Sequence, residues 1–138
     1  MIYRFIRSHH PIRFIKRIYY RARYGWAPED TWNMDRWFLR VVPQMLHYFA
    51  DHTHTYPGDD EFPTYISWQK HIHDIANMLE NASYEARKAK GVYGPANLSD
   101  KEYAQLWIDE DKKLAEEQQV ILEDAFEMLS KVFFHLWD

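Results

Sequence analysis

Apolar residues recur at three- and four-residue spacing along most of this chain, which is typical of helices that are covered on one side. From Tyr24 to Phe49 the pattern is strongest, and Asp30 or Thr31 is suited to cap a helix there. The stripe is broad, so we predict a central helix that contacts neighbours on more than one side. Its members are Met34, Trp37, Phe38, Val41, Val42, Met45, Leu46 and Phe49.

Proline and glycine punctuate the rest of the chain. Pro43 lies inside the central helix and predicts a kink or a break, because proline removes a backbone hydrogen bond. Loops are predicted over residues 51–63 and 91–98. Between them, Thr64 caps a predicted helix from Tyr65 to about Lys88. Its core-facing stripe comprises Trp68, Ile72, Ile75, Leu79, Ala82 and Ala86.

Both ends of the chain also have a helical pattern. One helix is predicted to begin near Pro11, since proline fits a first turn, and it carries an isoleucine face. Another begins at Ser99, where Ser99 and Glu102 have capping-box spacing. No breaker follows, which predicts a helix of about 38 residues, roughly 55 Å long. The end of this helix is apolar on two faces, so we expect it to lie deep in the core. One face comprises Ile121, Ala125, Met128 and Val132, and the other comprises Leu122, Phe126, Leu129, Phe133 and Leu136.

These elements predict an all-α fold, a helical bundle domain over residues 24–138 preceded by a basic arm or helix over residues 1–23. The chain has 138 residues and is 46% apolar, which is enough to build a core and excludes a disordered protein. The absence of cysteine excludes a disulfide framework and a thiolate metal site. A last helix longer than all others favours a homo-oligomer.

Charge is distributed unevenly. The net charge is −4, yet residues 1–24 carry seven arginines and lysines and no acid. Residues 99–138 carry eleven acids against four lysines. Three interpretations of the basic arm stay open. In the first, its isoleucine face packs on the core while its cations pair with the acidic last helix, in the same chain or in a partner. In the second, its cations and aromatic rings contact phosphate in nucleic acid or a nucleotide. In the third, the arm lies on a membrane surface.

Charges interrupt every apolar run before about 18 residues, so we expect no membrane span. The N-terminus has no apolar segment of the kind that secretory signals require, which favours a cytosolic origin.

Several motifs occur together in order: YGWAPEDTWNMDRWFLRVVPQML, a Tyr-Pro loop, SWQKHIHDIANML and the ending FEMLSKVFFHLWD. This combination resembles a family of small tailed-phage and prophage proteins over about residues 23–86 and 118–138. The shared positions are a D-x-W-x-x-D helix start at Asp30, Trp32 and Asp35, and a closing Leu136, Trp137 and Asp138. The resemblance implies a phage origin, with a place in the host cytoplasm or the virion, and no catalytic activity.

Eight histidines raise the possibility of a metal site. His47, Asp51, His52 and His54, followed by His73–Asp74 and by Asp109 or Asp124, resemble an HD-type phosphohydrolase pattern, in which a divalent metal activates water. However, His71 and His73 are about 200° apart on a helix and cannot converge on one ion. The acids Glu116, Glu117, Glu123, Asp124 and Glu127 resemble a pyrophosphatase pattern, but Val120 replaces its third glutamate.

No glycine-rich phosphate loop, G-x-S-x-G motif or cysteine nucleophile is present. We therefore predict no enzymatic activity, no catalytic residue, no metal and no cofactor.

The remaining candidate is a cluster of tryptophans and arginines. It comprises Arg17, Arg21, Arg23, Tyr24, Trp26, Trp32, Arg36, Trp37 and Arg40. The structural alternative is that the tryptophans form the core and Arg36 pairs with an acid such as Asp35. As a site, indole and guanidinium groups sandwich a base and clamp its phosphates. We therefore expect non-enzymatic capture of an anionic ligand, a nucleotide signal or nucleic acid, in counter-defence.

Two other functions remain open. The same residue types anchor protein interfaces, so the protein is alternatively a virion structural component or an inhibitor that binds a host protein. A metal-dependent phosphohydrolase is the third candidate.

Overall fold

The protein is all-α in the computed structural model, which describes residues 11–89 and 99–137. Those residues contain no strand, so the predicted fold class is confirmed. The helices are α1 (Pro11–Tyr24), α2 (Met34–His52), α3 (Tyr65–Asn81), α4 (Tyr84–Ala89) and α5 (Asp100–Val132), with 3₁₀ turns at Pro28–Asn33 and Phe133–His135. The first ten residues, Asp138 and the loop predicted over residues 91–98 lie outside the described residues.

The chain divides between Trp37 and Phe38 into two compact units. The first unit contains α1, the 3₁₀ turn and the start of α2. Gly25 ends α1: its φ is 77°, and its N–H donates to the Arg21 carbonyl at 3.0 Å. Glycine adopts this left-handed conformation at little cost, which is why it is favoured just after a helix.

Helix starts follow the capping rules. α1 begins at Pro11, as predicted. The Ser67 N–H donates to the Thr64 hydroxyl at 3.1 Å at the start of α3. At the start of α5, the Ser99 N–H donates to the Glu102 carboxylate at 3.1 Å. Hydrogen bonds from the side chain and backbone of Ser99 lower the pKa of Glu102. Both predicted caps are confirmed, because each satisfies a backbone donor that the helix itself leaves open.

Helix α3 organises the core of the second unit. Its stripe of Trp68, Ile72, Ile75 and Leu79 is wholly buried. Among the described helices, α3 packs most extensively against α5. On α2, by contrast, the buried residues are Pro43, Leu46 and Ala50 alone. The prediction that α2 is the central helix is therefore wrong.

Helix boundaries differ from the prediction at three places. Asp30 and Thr31 lie in the 3₁₀ turn, so α2 begins only at Met34. Pro43 lies inside α2 without breaking it. The helix predicted to reach Lys88 ends at Asn81, and α4 follows as a separate helix.

The end of the chain departs most from expectation. α5 has 33 residues and ends at Val132, where a 3₁₀ turn follows. Of its two predicted apolar faces, the one with Ala125 and Val132 is buried. On the other face, Phe126 and Phe133 are exposed. Leu129 of that same face is buried in the core, so the tail leaves only part of its second face open, at Phe126 and Phe133.

Candidate functional site

Helix α1 has a cationic side and an apolar side. At 100° per residue, Arg13, Arg17 and Arg21 lie opposite the isoleucine face. Ile12, Ile15 and Ile18 are exposed.

Acids of the following 3₁₀ turn pair with two of these cations. Arg21 Nη2 donates to Asp30 Oδ1 at 2.8 Å, and Arg17 Nε lies 3.8 Å from Glu29 Oε2. The other Asp30 oxygen accepts the Ala27 N–H at 2.8 Å. Within the first unit, Arg17 and Arg21 thus pair with acids of the adjacent turn, which none of the three interpretations of the arm included.

The Asp30 carboxyl reflects this pairing. Its partial burial raises its pKa, but the hydrogen bond from the Ala27 N–H and the charge of Arg21 outweigh burial. The net effect lowers the pKa of Asp30. The carboxylate therefore stays charged and holds Arg21 against the turn.

Three cations of α1 remain without an acidic partner in the described part of the chain: Arg13, Lys16 and Arg23. The Arg23 guanidinium lies 5.7 Å from the centre of the Tyr24 ring, within the range of a cation–π contact.

Several aromatic side chains of the first unit are open to solvent. Trp32 is 87% exposed and Trp26 is 44% exposed. Tyr19 and Tyr24 are also exposed. The structural alternative, in which the tryptophans form the core, is therefore wrong for Trp26 and Trp32. We use the name cationic aromatic surface for the following cations and rings of this unit, which lie on more than one face of α1 and on the turn after it: Arg13, Lys16, Arg17, Tyr19, Arg21, Arg23, Tyr24, Trp26 and Trp32.

The predicted site residues do not all belong to this surface. Arg36 and the half-buried Trp37 lie in the first turn of α2, whereas Arg40 lies in the second unit. Arg13 and Lys16 were absent from the predicted site although they belong to the same basic helix. Their position in the acid-free run was the available signal.

Comparisons with known proteins find no matching family model, no matching curated protein and no matching solved structure. The resemblance to a phage family thus remains a prediction from the sequence motifs. In the described residues, no helix is both long enough and apolar enough to cross a membrane.

A second polar cluster lies in the second unit. His47 on α2 and His73 on α3 face each other with their Nδ1 atoms 2.7 Å apart. At the far side of His73, Nε2 lies 3.0 Å from Asp51 Oδ1. At the far side of His47, Nε2 lies 3.5 Å from Glu80 Oε1. The two rings therefore form a row with a carboxylate at each end.

The hydrogen bond between the two Nδ1 atoms requires one ring to donate and the other to accept, because two donors or two acceptors would repel. The contact therefore links α2 directly to α3.

This cluster contains three members of the HD-like pattern, His47, Asp51 and His73. The sequence pattern thus indicated residues that do come together. They do so as a hydrogen-bonded row: among the described residues, no group of three or more histidine or acidic side chains is arranged to hold a metal ion.

Proposed function

We propose that this protein is a non-enzymatic binding protein that captures nucleic acid through the cationic aromatic surface. The observation that carries the proposal is the exposure of Trp32 and Trp26 in the same unit as an acid-free cationic helix. Lysines and arginines attract phosphates whatever the sequence, and exposed rings stack on bases. Together they supply the two interactions that single strands require.

The charge distribution supports this assignment. Over residues 11–37, six arginines and lysines against three acids give a net charge of +3. Over residues 38–138, nine against eighteen acids give −9. A polyanion is attracted to the first unit and repelled by the second, so the field directs it to residues 11–37.

The spread of the cations favours a strand over a single nucleotide. Arg13 to Arg23 span about 15 Å along α1 at 1.5 Å per residue, enough for several phosphates. Sites for small ligands are instead concave, with a few convergent polar groups. The cavity in the second unit has apolar walls, so it is unsuited to an anion.

In the phage setting that the sequence resemblance implies, such capture serves counter-defence in the host cytoplasm. It removes a nucleic acid or nucleotide signal without chemistry, which agrees with the absence of catalytic motifs in the sequence.

Fluorescence anisotropy with labelled single-stranded and double-stranded oligonucleotides tests the proposal. We expect binding that weakens with salt. In the double variant Arg13→Gln and Lys16→Gln, the slope of log affinity against log salt concentration should become shallower by about 1.4–1.8. Trp32→Ala should weaken binding by about 5- to 150-fold through lost stacking.

The matched control is the double variant Lys112→Gln and Lys113→Gln, which removes the same charge from exposed positions on α5. It should leave the salt slope unchanged. Calorimetry with cyclic and linear mononucleotides forms the second arm. If the protein binds mononucleotides but not oligonucleotides, its ligand is a nucleotide and not a nucleic acid strand. Absence of binding in both arms would refute anion capture.

A second candidate function is that of an interaction protein, either a virion component or an inhibitor of a host protein. The open apolar face at the end of α5 favours it. Purification of virions from infected cells tests it, because a structural component is retained in the particle.

A further inference from the structure

An open apolar groove lies in the second unit between α2 and the end of α5. Its volume is about 640 Å³, and its lining includes Phe38 and Phe49 of α2 and Phe126 and Phe133 from the end of the chain. The rings of Phe38 and Phe126 are in contact, with their centres 5.6 Å apart. None of its eleven lining residues is charged. The one polar member, Ser130, donates its hydroxyl to the carbonyl of Glu127 at 2.8 Å. The walls therefore offer no unsatisfied polar group to a ligand.

Four large side chains of this groove remain in solvent. Met45 is 62% exposed, Phe126 44%, Phe133 58% and Phe134 85%. Complete burial of such a side chain is worth about 1.5–3 kcal/mol. The fold of the second unit leaves part of that contribution unused, although Leu46 and Leu129 of the same groove are already buried in the core.

We propose that this groove is the surface through which two copies of the chain associate, with Phe134 of each copy inserted into the groove of the other. This inference does not depend on anion capture, which uses the other unit. It gives the homo-oligomer predicted from the long last helix a definite interface.

The exposed area is sufficient for such an association. At about 200 Å² for a whole large side chain, the four exposed residues present roughly 500 Å² of apolar surface. Patches on monomers rarely exceed about 600 Å², and the largest are often functional. Two copies together cover about 1,000 Å², the lower bound for a specific interface.

The shape of the surface favours a second copy over other occupants. A two-fold interface places the same patch on both sides, so it needs a projection beside a hollow. Phe134 is that projection, since it is the most exposed of the lining residues. A small apolar ligand could fill the hollow but would leave Phe134 in water.

Charge does not oppose the association, although the second unit is acidic. The groove itself is uncharged. Glu127, next to the groove on α5, is paired with Lys131 at 2.9 Å. Like-charge repulsion is therefore weak where the two copies meet.

Light scattering on the 138-residue chain over a wide concentration range tests the proposal. We expect a dimer of twice the 16.9 kDa chain mass. Phe134→Glu should weaken the dimer by about a thousandfold, because each dimer loses two anchoring rings. Phe134 is largely exposed in the single chain, so this variant should keep its helical circular dichroism.

Ile66→Glu is the matched control, since Ile66 is an exposed apolar residue of α3 outside the groove. It should remain dimeric. A wild-type protein that stays monomeric, or a Phe134→Glu variant as dimeric as the wild type, would overturn the proposal. So would a monomer whose native mass includes a small apolar molecule that Phe134→Glu does not displace.

Discussion

The two sides of α3 are joined to their neighbours by different chemistry. Towards α5 the contact is apolar, with Trp68 and Ile75 in one cluster with Leu129 and Val132. Towards α2 and the loop after it, polar contacts are frequent, and they are short. Gln69 Nε2 donates to the Ala50 carbonyl at 2.7 Å, the Tyr65 hydroxyl donates to the Thr53 carbonyl at 2.7 Å, and His73 meets His47 at 2.7 Å.

This difference has a consequence for function. α2 contributes Leu46 and Ala50 to the buried apolar cluster, and the hydrogen bonds add to its attachment. Beside these contacts, Met45 is exposed and Phe38 and Phe49 are half-buried at the groove. A surface that the core does not require is free to serve binding.

The largest effect should come from breaking the apolar side. Trp68→Ala removes a fully buried ring and leaves a cavity, so the free energy of unfolding should fall by about 3–5 kcal/mol. Trp32→Ala, at an exposed position, should change it by less than about 0.5 kcal/mol. Urea unfolding followed by circular dichroism measures both. Equal losses would show that the exposed indole is in fact structural.

A smaller effect is expected where a polar residue enters the apolar side. Gln118 on α5 is buried, and its Nε2 donates to the carbonyls of Asn81 and Ser83, each at 2.9 Å. Gln118→Ala leaves these carbonyls without that donor and should cost about 1–3 kcal/mol in urea unfolding.

Gln119→Ala is the matched control, because Gln119 is exposed and bonds only Glu123 on its own helix. It should cost less than about 0.5 kcal/mol. A Gln118→Ala variant as stable as this control would contradict a structural role for the buried amide.

The same contact explains a boundary that the sequence did not reveal. Nothing between Asn81 and Tyr84 is a glycine or proline, so periodicity alone continues α3 to Lys88. The chain instead breaks at Ala82 and Ser83, where Gln118 binds the carbonyls from another helix. Local rules do capture the caps at Thr64 and Ser99, since both partners lie within three residues.

The candidate surface likewise depends on contacts that sequence patterns do not reveal. Sequence identified α1 as a cationic helix and predicted correctly that it begins at Pro11. It did not identify Glu29 and Asp30 as partners of α1, because that pairing depends on the backbone conformation at Gly25. Periodicity likewise placed Phe126 and Phe133 on an apolar helix face, but it did not show whether other residues of the same chain bury them.

The polar side of α3 is tested by a double-mutant cycle on His47 and His73. His47→Ala, His73→Ala and the double variant should give a coupling energy of about 1 kcal/mol, since the rings share a hydrogen bond that neither makes alone. The measurement is urea unfolding of all four proteins at one pH.

Lys70 and Asp74 provide the control cycle, as an exposed pair 3.3 Å apart on α3. Their coupling should be only about 0.3–0.5 kcal/mol. If the histidine coupling is no larger than this, the row from Asp51 to Glu80 does not hold α2.

The smallest expected effect is the pH dependence of stability that His71 of α3 contributes. His71 packs against Phe62 at 4.8 Å, and its buried Nε2 has no hydrogen-bond partner in the described structure. Burial lowers the pKa of His71 below its usual 6.5, against the opposing pull of Glu61 and Asp74. The unfolded chain therefore binds its proton first on acidification, and stability falls as pH drops below about 6.5.

This fall should be measurable as a difference between variants. In urea unfolding at successive pH values, His71→Gln should lose stability less steeply than the wild type, by at most about 1.4 kcal/mol per pH unit. His135→Gln, at an exposed position, should follow the wild type. Parallel pH curves for His71→Gln and the wild type would show that the folded chain accommodates the charged ring, because solvent or Glu61 reaches a nitrogen that the structure encloses.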